Sequence, residues 1–201
     1  MTRTTRWAVG VMTLMLAVLL GAGGAGAAEG AALPWIEDVS KVTAKETAWL
    51  AGCSDKLEAF ARVTGVKVVV RLLAKSPTAD EDKVPGAFMH ALARRLAVDE
   101  RGALVVYFAD EKEFRVWIGD ACAAAFVGQQ GTAKEFTENG RMHEAKEAFL
   151  TAAETGSQAV YAAAQRAAPA GKPVAEALRV TLHVDAIVDG LIARLGKTPG
   201  K

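Results

Sequence analysis

From Leu50 through Cys53 and Leu57 to Phe60, apolar residues recur every three or four positions, the interval of a helix with one buried face. Just upstream, Thr43-x-x-Glu46 has the form of a capping box, so the helix is expected to open there and to stop at Gly65. The pattern then changes. Val66 to Leu73 is a Val- and Leu-rich run that predicts a strand, and the polar loop AKSPTADEDK follows it. Phe88, Leu92 and Leu96 return to helical spacing, with Pro85 in the first turn and Arg94 and Arg95 on the wetter side. Leu104 to Phe108 and Phe114 to Ile118 are two more strands, and their short connection predicts an antiparallel hairpin.

Lys67 and Arg71 fall on one side of the first of these strands and Arg115 on one side of the third, whereas the second is apolar throughout. The second is therefore expected at the centre, covered on both faces, with the others beside it. A strand, a helix and a parallel strand connect by a right-handed crossover. Beyond Asp120 the chain is Ala-rich and helical, broken near Gly128–Gly131 and Asn139-Gly140. A long helix is expected from Arg141, carrying Phe149 and Tyr161. After a linker at Pro169 to Pro173, residues Val174, Leu178, Thr181, Val184, Val188, Leu191 and Leu195 trace an amphipathic last helix. The fold class these elements imply is a three-layer α/β/α sandwich with a small mixed sheet.

At 201 residues and 51% apolar, the chain suits one ordinary domain. Its start adds an address: Arg3 and Arg6, an uncharged run from Trp7 to Leu20, then a Gly/Ala tract. That is the order of a secretory signal peptide, 1–27, with Ala25-Gly26-Ala27 placing cleavage before Ala28 and the protein in the periplasm or outside the cell. Membrane contact is expected only if that segment stays uncleaved. Losing the two arginines takes the formal charge from +1 to −1, which argues against nucleic-acid partners. In an oxidising compartment Cys53 and Cys122 can form a disulfide, with two buried thiols as the alternative.

Three motif matches carry no chemistry. Gly21-x-Gly23-x-x-Gly26 lies in the processing tract, Leu50-Ala51-Gly52-Cys53 follows a polar helix and not an apolar signal core, and Gly196-Lys197-Thr198 has Leu191 where a P-loop needs glycine. The carboxylates are more informative. If the first two strands run parallel, the loop with Asp80, Glu81 and Asp82 and the turn with Asp110, Glu111 and Glu113 leave the sheet at one edge, where open α/β sheets bind ligands. Clustered carboxylates repel, and a hard cation such as calcium relieves the repulsion, so a weak calcium site is one expectation. A solvated turn partly neutralised by Lys83 and Lys112 is the other. Candidate catalytic groups are sparse: His90, His143 and His183 have no metal-ligand spacing, and Ser54, Ser76 and Ser157 lack the glycines of a nucleophile elbow.

Four stretches resemble the TPM domain family. LPWIEDVSKVTAKETAWL is similar to its opening, in which an acid, here Asp38, precedes a loop and a helix. LEAFARVTGVKVVVRLLAKSP resembles its helix, Thr-Gly and first strand; ALARRLAVDERGALVVYFADEKEFRVWIG its helix, Gly-led strand and hairpin; and FTENGRMHEAKEAFLTAA its later helix. The likeness covers about 33–168, a TPM-like domain, leaving 169–201 as linker and amphipathic helix. It implies an α/β/α sandwich that is secreted, periplasmic, lumenal or membrane-tethered. Family members serve in photosystem II repair and as receptor accessories, and some are acid phosphatases or bind divalent metals. Asp38 and Asp110 are the carboxylates most readily carried over, so Asp38 joins Asp80, Asp82, Asp110, Glu111 and Glu113 as a candidate metal ligand. After Gly119, however, this chain reads DACAAAFVGQQ where many relatives have Gly-Leu-Glu and a later Asp. The expectation is thus a non-enzymatic accessory module for an envelope protein partner, using its acidic edge or its last helix, with a metal-dependent acid phosphatase as the alternative.

Overall fold

The computed structural model describes residues 34–169 and 174–197, all within one unit that begins at Leu33. The signal-peptide expectation lies outside the described residues. The elements run β1 (Ile36–Asp38), α1 (Thr47–Thr64), β2 (Lys67–Leu73), α2 (Ala87–Arg95), β3 (Gly102–Phe108) and β4 (Glu113–Ile118). A 3₁₀ turn (Asp120–Cys122) then leads to α3 (Ala123–Val127), α4 (Ala133–Glu138), α5 (Arg141–Ala167) and α6 (Glu176–Leu195).

The sheet order is β1-β2-β3-β4. The first three strands are parallel, and β4 returns antiparallel to β3, as the short connection implied. Every residue of β3 is buried, because helices cover both faces of the sheet. On one face Val68, Val70, Val105, Tyr107, Phe114 and Val116 meet α1 and α3 to α6. On the other, Val69, Leu104, Val106 and Phe108 meet α2 alone. The result is an α/β/α sandwich of unequal layers.

Local chemistry explains the joints. Gly65 ends α1 in the left-handed region at φ 67°, its N–H donating to Ala61 O at 2.8 Å, and β2 starts two residues later. At Gly102 a Cβ would lie 2.4 Å from the carbonyl oxygen of Lys67, so only glycine lets β3 begin this close to β2.

Four expectations need correction. The capping box at Thr43 and Glu46 does not form: Thr43 is fully buried, its N–H and hydroxyl both donate to Asp38 at 2.7 Å, and α1 opens at Thr47 with no side-chain cap. A true capping box stands at Thr132 and Glu135, opening α4. Pro85 precedes α2, whose first turn is capped by Asp82 Oδ1 accepting the Phe88 N–H at 3.1 Å. The first of the three expected strands, β2, is not at the sheet's edge: the unforeseen strand β1 pairs beside it, and Arg71 is buried. Finally, α6 is no free partner-binding helix, since Val180, Val184, Ile187, Val188 and Leu191 are fully buried in the larger core.

Cys53 and Cys122 are both buried free thiols, so the expected disulfide is absent. Cys122 lies beside the C-terminal end of α1, lining a cleft with Val63 and Thr64. Cys53 sits ten residues earlier on that helix, about 15 Å along its axis, far beyond the separation a disulfide tolerates.

Candidate functional site

Parallel pairing of β1, β2 and β3 brings their C-terminal ends to one rim, with Leu73 opposite Phe108 at the last register position. The loop after β2 and the turn before β4 both leave from there. Asp110 ties them together: its two carboxylate oxygens accept the Ser76 backbone N–H at 3.0 Å, and one accepts the Ser76 hydroxyl at 3.1 Å. These bonds, led by the Ser76 N–H, hold the Asp110 carboxyl below its ordinary range.

The remaining acids gather around a cation already supplied by the chain. Arg115 Nε contacts Glu113 at 3.0 Å and its Nη2 contacts Glu111 at 3.0 Å, while Asp82 is near enough to add to the same attraction. The guanidinium is propped on the Phe108 ring, 4.9 Å from its centre. Asp80 faces solvent, paired with Lys83 at 3.4 Å. Asp38 ends β1 and turns to its own loop, where Ser40 and Thr43 donate to it. Partial burial pushes the Asp38 carboxyl up, but those bonds outweigh it and hold the group below its usual range.

The rim is thus a preformed acidic ledge in which Asp82, Asp110, Glu111 and Glu113 come together, Asp80 lies outward and Asp38 is spent on local structure. Among the described residues no three His, Cys, Asp or Glu side chains converge in a way that would hold a metal ion. Calcium there would have to displace Arg115 or Ser76 from their carboxylates. Sequence reading named both residues but not their bonds to these acids. The signal for Arg115 was its placement two residues after Glu113 and four after Glu111; Ser76 left none, because its partner is 34 residues away.

The histidines stand apart from this ledge in role. His90 is exposed and stacks on Trp117 with ring centres 4.9 Å apart. His183 is buried against Phe114 at 4.4 Å, and burial lowers its pKa. His143 is exposed on α5.

No protein-family model matches the chain, and no curated protein matches it. Among solved structures it is similar to the solution NMR structure of the N-terminal domain of a protein from P. gingivalis, at 16% identity and a TM-score of 0.50, covering 82% of this chain and 86% of that one. At that identity the likeness is one of fold: the α/β arrangement described above recurs in a separate domain.

Proposed function

We propose that this chain is an exported TPM-like module, periplasmic or secreted, that works by contact with an envelope protein and not by turnover. The TPM reading is supported by the quoted stretches and by the element order they imply, helix, strand, helix, hairpin, helices, which the chain follows after the additional strand β1. The observation that carries the contact role is the Asp110–Ser76 clamp. It holds two acidic loops in one shape before any partner arrives, which lowers the ordering cost of association. With α6 committed to the core, the acidic ledge is the surface of the two first considered that remains available. Its exposed carboxylates suit a basic patch on the partner. Calcium binding at the ledge belongs to this proposal only as a weak event, in the millimolar range typical of exposed extracellular sites.

The alternative is a metal-dependent acid phosphatase using Asp38 and Asp110, which both stand at the C-terminal ends of parallel strands. Hydrolysis of a generic phosphomonoester at acidic pH, with and without EDTA, separates the two readings. The contact role predicts no turnover above a heat-treated control. Turnover abolished by EDTA and by the paired changes Asp38→Asn and Asp110→Asn establishes the alternative instead.

A further inference from the structure

On the α2 face, the sheet extends past the helix. Glu37 and Val39 of the β1 edge, Arg71 and Leu73 of β2, and the α2 stripe of Phe88, Leu92 and Arg95 enclose an open cleft of about 410 Å³. That is within the size range of small-molecule sites, and its walls are mostly apolar with a few convergent charges, the usual composition of such sites.

The charges are unevenly matched. Arg71 is 3% exposed, with Nε 3.2 Å from Glu37 and Nη1 donating to the carbonyl oxygens of Pro34 at 3.0 Å and Val70 at 2.8 Å. Its Nη2 has no partner among the described residues. That atom is closed to solvent, so what Arg71 offers a ligand in the cleft is its charge and not this donor. Arg95 faces the same cleft from α2, close enough for its charge to act on Arg71. Among the described residues it forms no ion pair. The lining thus carries two guanidiniums against one carboxylate, and the cleft is short of one negative charge.

We propose that this cleft binds a small apolar monocarboxylate, either a free organic acid or the carboxyl-terminal residue of a peptide. The apolar body lies between Val39, Leu73 and Leu92, and the carboxylate meets Arg95 at the mouth, where the field of Arg71 adds to the attraction. A guanidinium fork matches the two oxygens of a carboxylate. A dianion would exceed the charge that Glu37 leaves uncompensated. This inference does not rest on the acidic ledge, which the cleft adjoins at Phe88: its lining carries the opposite net charge.

The test is an amide-resonance titration of the full chain with hexanoate, with hexanamide, and with acetyl-glycyl-leucine bearing a free carboxylate. The expected result is saturable shifts around Val39, Leu73 and Arg95 with hexanoate and none with hexanamide. Arg95→Glu should weaken hexanoate about tenfold or more by reversing one charge at the mouth. Ala91 is an exposed cleft residue, so Ala91→Trp should block the cleft without disturbing the fold and abolish the shifts. Saturable binding of hexanoate alone assigns a free acid, and tighter binding of the dipeptide assigns a peptide terminus. No shifts at tens of millimolar hexanoate, equal shifts with hexanamide, or shifts unchanged by Ala91→Trp would each overturn the proposal.

Discussion

Both carboxylate oxygens of Asp110 accept the backbone N–H of Ser76 at 3.0 Å, so one side chain in the hairpin turn fixes a loop residue 34 positions earlier in the chain. The bond is exposed, and its effect is local order more than global stability. In Asp110→Ala the Ser76 and Glu111 amides, both now bonded to Asp110, should lose hydrogen-exchange protection while β2 and β3 keep theirs. Calcium added to the wild type below millimolar concentration should leave these rates unchanged. Equal protection of Ser76 in variant and wild type would remove the clamp from the account.

Much of the fold was legible because it rests on repeating patterns. The wholly apolar run at Leu104–Phe108 had to be an inner strand, and the short DEK turn had to reverse it. β1 was not legible: three residues, Ile36–Asp38, are too few to show a period, and only tertiary pairing with β2 makes them a strand. That single omission also hid the burial of Arg71. The acids of the ledge were visible as composition, but not their partners. Pairing of Glu113 and Glu111 with Arg115 spans only two and four residues, whereas the Asp110–Ser76 contact depends on two strands ending level.

The last helix offers a direct check on the core. Leu191 is fully buried among residues of the larger cluster, and truncating such a side chain costs about 2–5 kcal/mol. Leu191→Ala should therefore lower the urea midpoint strongly, and removal of residues 174–201 should leave a chain without a cooperative transition. A deletion protein that melts like the intact one would show that α6 contributes nothing to the domain.

Burial governs the thiols. It raises Cys53 to about 11 and Cys122 above its ordinary value, so neither is a ready nucleophile. In the native protein both should react slowly with a disulfide reagent at neutral pH, and two equivalents should react at once on unfolding. The melting temperature should be the same with and without reductant, because no bridge is there to break. A large drop on reduction would mean that a disulfide had formed after all.

Acid should weaken the fold through His183. Burial holds its pKa below the ordinary 6.5, with Glu154 drawing it up and Arg179 pushing it down. The unfolded chain takes up this proton first, so the contribution is complete above about pH 6.5 and is lost as pH falls toward the folded value. Asp185, raised by burial against a bond from Trp49, acts in the opposite sense and gains stability as pH falls through its own folded value. Replacing the imidazole isolates the first effect. His183→Gln should lose less stability than the wild type between about pH 7.5 and 5.5. Parallel pH profiles would contradict this.

The contact role is tested most directly in the cell that makes the protein, with a photo-crosslinking residue introduced at Asp80, whose side chain is 90% exposed just outside the ledge, and separately at Val63, 85% exposed near the start of β2. The account predicts one discrete adduct with an envelope protein from position 80, diminished by high salt during labelling, and none from position 63. The same adducts from both positions, or none from position 80, would contradict it.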